Sequence, residues 1–396
     1  MRRLSLACLL LGACIRTEGE PPCSVIEQHR ELLTLDAHLD TPMHFERAEW
    51  SFGDRHAGSG LVQVDLPRMR TGALDGGFFA IYTPQGPLTA NGYAEALRSA
   101  QKRSDAIDAV LQHFSNKIAL ARSADEVEQI TDEGRLAALK SMENSYPLGE
   151  DLARLADFYR RGVRLAGPVH ASNNQFADSA TDSPVWNGLS PLGREWAAEM
   201  NRLGIVIDAS HASDDAFDQM LALSKTPLLL SHSGAQRIFD HPRNLDDNRI
   251  RKLTAAGGAI CVTTAFLSPM NLTEEWAELF AQLEHIGDIS PKEQAEMTAR
   301  WRALRERDPL WKADFDDFMR ALLHVIDVAG VNHTCIGADW DGGGGIDGLA
   351  DISDLPRITE GLRASGYSSA EIEKIWSGNI LRILRAAETQ AVQYRQ

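Results

Sequence analysis

Seven residues of this chain share a setting that suits catalysis: a polar, ligand-type side chain placed just after a short apolar run. They are His38 and Asp40 in LDAHLD, Glu143 in SMENSY, His170 in GPVHAS, His211 in IDASHAS, His232 in LLLSHSG and Asp339 in IGADWDG. His38 and Asp40 lie two apart, so on an extended strand both side chains point the same way. Imidazoles and carboxylates converging on one point suit zinc or a similar divalent ion. Even three histidines and two carboxylates exceed what one catalytic ion needs, and a pair of ions bridged by a carboxylate fits the count better. Such a pair lowers the pKa of a shared water toward neutrality and polarises a scissile carbonyl. His29, His113 and His285 lack this setting and read as surface or satisfied core groups.

Elements that could bring these residues together follow from the pattern of the chain. Short apolar runs read as strands at Leu33–Asp36, Gly77–Tyr82, Leu136–Met142, Val163–Ala166, Ile205–Ala209, Pro227–Leu230, Ala259–Thr263 and Thr334–Ala338. Helical patterns lie between them. Trp196, Met200 and Leu203 fall at i, i+4 and i+7 with Gly204 as a stop, and Phe315, Phe318, Met319, Leu322, Leu323 and Ile326 form a second stripe. Eight strands alternating with helices predict an α/β fold, a single (β/α)₈ TIM-type barrel spanning residues 31–396. In that fold the carboxyl ends of the strands build the active site, so all seven residues would meet at one mouth. The connection from the seventh to the eighth strand, residues 264–333, is long and carries a helical stripe at Trp276, Leu279, Phe280 and Leu283. This helical insertion suits either a lid over the mouth or a structural cover on the side of the barrel.

Composition narrows the function classes. The chain has 396 residues, 43% hydrophobic, with 40 basic against 56 acidic side chains and a net charge of −16. No basic face for nucleic acid is expected from such a balance. At the amino terminus, Arg2 and Arg3 precede the apolar run Leu4–Leu11, and Leu11-Gly12-Ala13-Cys14 puts small residues before a cysteine. Residues 1–14 thus read as a signal peptide with a lipoprotein box, Cys14 being the lipidated residue, and the run is too short to span a bilayer. The polar, proline-bearing residues 15–30 read as a tether. The chain is therefore expected in a bacterial cell envelope, touching the membrane only through its lipid. Ile15 after Cys14 does not signal inner-membrane retention, so outer-membrane placement is expected. Cys23, Cys261 and Cys335 remain; one disulfide is compatible with an oxidising compartment, and the sequence leaves the pairing open.

The ordered motifs resemble those of the membrane (renal-type) dipeptidases, peptidase family M19, a branch of the amidohydrolase superfamily. The resemblance runs from about Leu33 to the terminal GNILRIL and takes in GVRLAGPVHASNNQFADS, GLSPLGREWAAEMNRLGIVIDASH, HPRNLDD and IGADWDG. It implies a dipeptidase with two zinc ions: His38 and Asp40 on one, His211 and His232 on the other, Glu143 bridging. It further implies that His170 contacts substrate near the scissile carbonyl, that Arg243 binds the dipeptide carboxylate, and that Asp339 handles protons. The substrate implied is a small free dipeptide, L-L or L-D, cleaved by a hydroxide held between the metals. Relatives commonly form homodimers, but no interface is identified by the sequence.

These roles match chemical need. Arg243 offers a planar fork for a free carboxylate, although Asp246 and Asp247 stand close enough in sequence to claim it for a salt bridge. Asp341 rivals Asp339 for the proton role, and the family motif favours the first carboxylate. Two departures stand out. Asn144-Ser145 replaces two glycines of animal members and is expected to reshape the substrate pocket, while Ala338 and Trp340 flank Asp339 where a small polar or glycine residue and Phe are more usual. Removal of an N-acyl group from amino acids would use the same clamp and is the alternative reaction. From another class, a non-catalytic binding lipoprotein would be free to lose a ligand, yet the set is complete.

Overall fold

The computed structural model of the chain describes residues 24–395 apart from 57 and 59. The signal segment, Cys14 and Cys23 lie outside the described residues. Among the described residues ten parallel-paired strands occur: β1 (Leu35–Leu39), β2 (Gly76–Ile81), β3 (Ile118–Leu120), β4 (Leu136–Met142), β5 (Val163–Ala166), β6 (Val206–Ile207), β7 (Leu229–Ala235), β8 (Asn244–Leu245), β9 (Ala259–Val262) and β10 (Thr334–Ile336). Eight of them coincide with the runs read from the sequence. They pair in the order β1-β2-β4-β5-β6 and β10-β9-β7. Parallel bridges Asp208–Leu229 and Leu39–Trp340 join the two sheets, so the eight staves close into a barrel. The short β3 adds to the start of β4, and β8 pairs with the end of β7.

Every residue of the eight staves is buried, as expected where both faces of a parallel sheet are covered. One set of stave residues, including Leu35, Phe78, Leu139, Leu165, Val206 and Cys261, packs inside the barrel with Ile380, Leu384 and Ala387 of the carboxyl-terminal helix, Asn379–Arg395. The alternate set, including Phe79, Ile207, Leu230 and Ile336, packs outward against the helices. Each side chain so buried contributes roughly 1.5–3 kcal/mol. Helix Pro191–Leu203 shows how the sequence sets its ends: Ser190 caps it through a bond from Gly193 N, and Gly204 stops it in the left-handed region at φ 81°. Helix Phe315–Ala329 likewise starts in a capping box between Asp314 and Asp317.

Three features refine the sequence reading. Residues 25–30, grouped by composition with the tether, form a helix whose His29 is buried, so the folded part starts earlier than residue 31. Capping of that helix by Ser24 and Glu27 explains why a polar segment is ordered. The connection between β9 and β10 holds helices Glu274–Leu283 and Pro291–Arg307, joined through the edge-on rings of Trp276 and Trp301 at 4.9 Å, before helix Phe315–Ala329. Its first helix walls the cavity at the mouth of the barrel. Finally, Cys261 and Cys335, opposite one another in register on β9 and β10, form a disulfide.

Candidate active site

The staves deliver the expected residues to one place. Asp40, Glu143, His170, His211, His232, Arg243 and Asp339 all line a cavity of about 680 Å³ at the carboxyl ends of the strands, with His38 buried just behind them. Glu143 is the hub: its Oε1 lies 2.9 Å from His211 Nε2 and 3.6 Å from both His170 Nε2 and His232 Nε2, and its Oε2 lies 3.5 Å from His38 Nε2. His38 Nε2 is also 3.2 Å from Asp40 Oδ2. Donor atoms fall within 4.8 Å of one another in three groups, His38–Glu143–His232, Glu143–His170–His211 and His38–Asp40–Asp339. Two of these share Glu143. They overlap rather than separate into the pairs that the family resemblance implies.

Proton bookkeeping shows that this cluster fits a cation. His211 Nε2 faces Glu143 Oε1, which can only accept while ionised, and at 3.3 Å Arg243 Nη2, which can only donate. It also faces His232 Nε2 at 2.8 Å. One ring nitrogen cannot satisfy all three, whereas a lone pair directed at a cation meets no such conflict. Buried Asp40 Oδ1 has no hydrogen-bond partner among the described residues. A second network fixes which nitrogen of His232 is free. The Ser231 hydroxyl donates to Asp208 Oδ2 and lies 2.8 Å from His232 Nδ1. Its single proton is spent on Asp208, so His232 Nδ1 carries a proton and Nε2 presents its lone pair to the cluster.

Electrostatics divide the histidines. Burial pushes the pKa of His211 and His232 well below the ordinary imidazole value, helped by Arg243 and by neighbouring histidines. Burial opposes charge on His38 too, but Glu143 and Asp40 outweigh it and hold that pKa well above the usual range. For Asp339, burial followed by repulsion from Asp40 and Glu143 raises the carboxyl well above its ordinary value, with His38 and Arg243 opposing. Asp339 also has φ 64°, in the left-handed region, so its backbone is held in an uncommon conformation beside the ligands.

The residues that the sequence left as rivals have different surroundings. Asp341 faces away from the ligand cluster: its Oδ2 accepts from Thr41 Oγ1 at 2.7 Å and its Oδ1 from Gln63 N at 2.6 Å. Arg243 forms no ion pair among the described residues. Asp246 is engaged by Arg249 at 2.6 Å and Asp247 by His324 at 2.9 Å. The buried Arg243 guanidinium touches His232 O and His211 through Nη2 only, leaving Nε and Nη1 without partners. Burial lowers its pKa to about 10, so it stays charged at neutral pH.

One expectation is refined. Asn144 and Ser145 do not line the cavity; both are buried beneath it. Asn144 takes φ 73°, a conformation asparagine tolerates, and its Oδ1 accepts from Tyr146 N and Asn174 Nδ2. Ser145 Oγ donates to Gly167 O and accepts from Trp196 Nε1. These side chains therefore brace the turn after Glu143. Sequence reading missed Tyr82, whose ring meets His170 edge-on at 4.9 Å, although it stands just past β2 where a barrel strand ends. It also missed Asp208 and Ser231. The Ser-His pair repeated at Ser210-His211 and Ser231-His232 was the available signal.

Known proteins of similar sequence and fold are dipeptidases. The dipeptidase tcpJ of Claviceps purpurea is 30% identical over 371 residues, covering 91% of this chain and 78% of that protein. The crystal structure of the probable dipeptidase PvdM from Pseudomonas aeruginosa is 30% identical with a TM-score of 0.79, covering 93% of this chain and 98% of that one. A metallopeptidase from Rhodobacter sphaeroides, solved with a phosphinate mimic of the dipeptide L-Ala-D-Ala, is 25% identical with a TM-score of 0.71, covering 90% and 99%. The profile of the membrane dipeptidases matches residues 25–396, and the chain belongs to that family, the metallopeptidases of family M19.

Proposed function

We propose that this protein hydrolyses free dipeptides with two zinc ions per chain. In this reading His38 and Asp40 hold one ion, His211 and His232 hold the other, and Glu143 bridges them. When bound, such ions supply Lewis acidity at the scissile carbonyl and lower the pKa of water. Arg243 receives the substrate carboxylate through its free Nε and Nη1 groups in a bidentate pair. His170 directs an N–H at the carbonyl oxygen as charge develops there. Asp339, as the carboxylate, takes a proton from water and, so protonated, passes it to the leaving amine. The observation that carries this reading is the buried guanidinium with no carboxylate partner, set beside a cluster of metal-type ligands. A buried unpaired charge is costly unless a ligand completes it.

The deciding experiment combines metal analysis with hydrolysis of L-L and L-D dipeptides, alongside a chelator-treated control. Two zinc ions per chain and chelator-sensitive cleavage are expected. Arg243→Ala should raise KM for free dipeptides while sparing dipeptide amides; equal loss on both would assign Arg243 a structural role. Two bound metals with no dipeptide cleaved, but N-acyl amino acids consumed, would replace the reaction with deacylation. We also propose export and lipid anchoring through Cys14. This rests on the Arg2-Arg3, Leu4–Leu11 and Leu11-Gly12-Ala13-Cys14 order. Cys14→Ala should release the protein from the membrane fraction.

A further inference from the structure

The wall beside Arg243 is apolar and held in place. Asn244, the residue after Arg243, donates from Nδ2 to Phe239 O and to Phe266 O, both at 2.9 Å. Phe266 takes φ 56°, an unusual conformation for an aromatic residue, and its ring centroid lies 5.5 Å from the Arg243 guanidinium carbon. His241 stacks on the same ring at 4.5 Å, and Trp311 meets it edge-on at 5.3 Å. Trp311 is fixed in turn by a 2.7 Å bond from Nε1 to Gly343 O. Thus the HPRN segment supplies a carboxylate clamp and, through its next residue, locks an aromatic wall against it. Beyond that wall, Met270 and Leu272 remain 39% and 55% exposed at the cavity mouth. The charged side chains Arg103 and Glu284 lie elsewhere along the cavity, with Met43 and Tyr82.

In a dipeptide, the carboxyl-terminal side chain branches from the carbon that bears the carboxylate. A carboxylate seated on Arg243 therefore brings that side chain within reach of Phe266 and Trp311. We propose that this chain selects dipeptides whose carboxyl-terminal residue is bulky and apolar, taken up against Phe266 and Trp311 with Met270 at the rim. This rests on the reading of Arg243 as the carboxylate clamp. Burying such a side chain, instead of a methyl group, is worth roughly tenfold to a hundredfold in kcat/KM. A carboxylate in the same place would lose its hydration against aromatic rings and compete with the main-chain carboxylate for Arg243.

The test is kcat/KM of the metal-replete protein for Ala-Ala, Ala-Phe, Ala-Leu, Ala-Asp and Ala-Lys, with the second residue in L and D form. Ala-Phe and Ala-Leu should exceed Ala-Ala by roughly tenfold to a hundredfold, and Ala-Asp should fall below it. Phe266→Ala should reduce the ratio of Ala-Phe to Ala-Ala about tenfold. Met270→Asp, at an exposed position that tolerates charge, should lower the same ratio and raise Ala-Lys relative to Ala-Ala. Equal rates for Ala-Ala and Ala-Phe would overturn the inference while leaving a dipeptidase. A preference that neither variant moves would overturn the assignment to this wall. No cleavage of any dipeptide would remove the proposed function and this inference together.

Discussion

His29 and His38 are equally withdrawn from solvent, yet their surroundings ask opposite things of them. His29 sits near the start of β2, where its Nε2 donates to Gly72 O at 2.9 Å and its Nδ1 accepts from Thr359 Oγ1 at 2.7 Å. Trp376 Nε1 completes the chain by donating to that same hydroxyl. Burial pushes the His29 pKa down to about 4, and the neutral ring is fully satisfied. At the opposite end of the barrel, His38 Nδ1 has no partner and Nε2 lies between two carboxylates that hold its pKa high against the cost of burial. The first environment is complete without charge. The second gathers carboxylate oxygens and imidazole nitrogens, some without partners, around one point where a cation fits. Substitutions at the mouth should therefore disturb chemistry more than stability, and substitutions around His29 should do the reverse.

The largest effect tests the mouth. Asp339→Asn removes the proposed proton carrier, a side chain that is not needed to balance the hydrogen bonds of the core. Its kcat should fall at least roughly a hundredfold, while metal content and Tm stay close to those of the parent. Asp341 provides the control, because it accepts from Thr41 and Gln63 as a structural group does. Asp341→Ala should lower Tm by leaving those donors unpaired. Near-parental kcat in Asp339→Asn would remove the proton role and blur the division between the two ends.

A smaller effect probes how the mouth is supported. Ser231 holds His232 in one tautomer by donating to Asp208 and accepting from Nδ1. Ser231→Ala should weaken metal binding about tenfold to a hundredfold in competition with a chelating dye, and Ser231→Thr should restore most of it. The Tm of the metal-depleted protein should fall in Ser231→Ala, because Asp208 Oδ2 and His232 Nδ1 lose their partner, and recover in Ser231→Thr. Unaltered affinity in Ser231→Ala would mean that His232 is oriented by packing alone.

Much of this division is readable from the residues themselves. The eight apolar runs mark the staves because burial on both faces leaves no alternation to confuse them. Fold topology then assigns the polar residue after each run to the mouth, which is why His38, Glu143, His211 and His232 could be named together. What the sequence could not show depends on distant pairing. Arg243 itself does not show whether it is free or in a salt bridge; Asp246 is taken by Arg249 one turn on, but only folding brings the distant His324 to Asp247. Likewise, Asp339 and Asp341 differ in sequence by two positions, but only folding brings Thr41 and Gln63 to the second. The Cys261–Cys335 pairing depends on the register of β9 against β10, a property of the closed sheet.

The smallest effect returns to His29 and sharpens the structural side of the comparison. Its folded pKa of about 4 lies below the unfolded value near 6.5. Between those values the unfolded chain binds more protons, so stability falls as pH is lowered through this window. From pH 7 to pH 5.5 the contribution lost should be about 1 kcal/mol. His29→Gln carries no titrating ring and should lack this component. Urea unfolding of metal-depleted parent and variant at both pH values isolates it, because the ligand histidines contribute equally to the two proteins. A parent that loses no more stability than the variant would show that His29 can be protonated in place. Thr359 would then have to turn its hydroxyl away from Nδ1, and the neutral relay from Trp376 to Gly72 would not be what orders the amino-terminal helix.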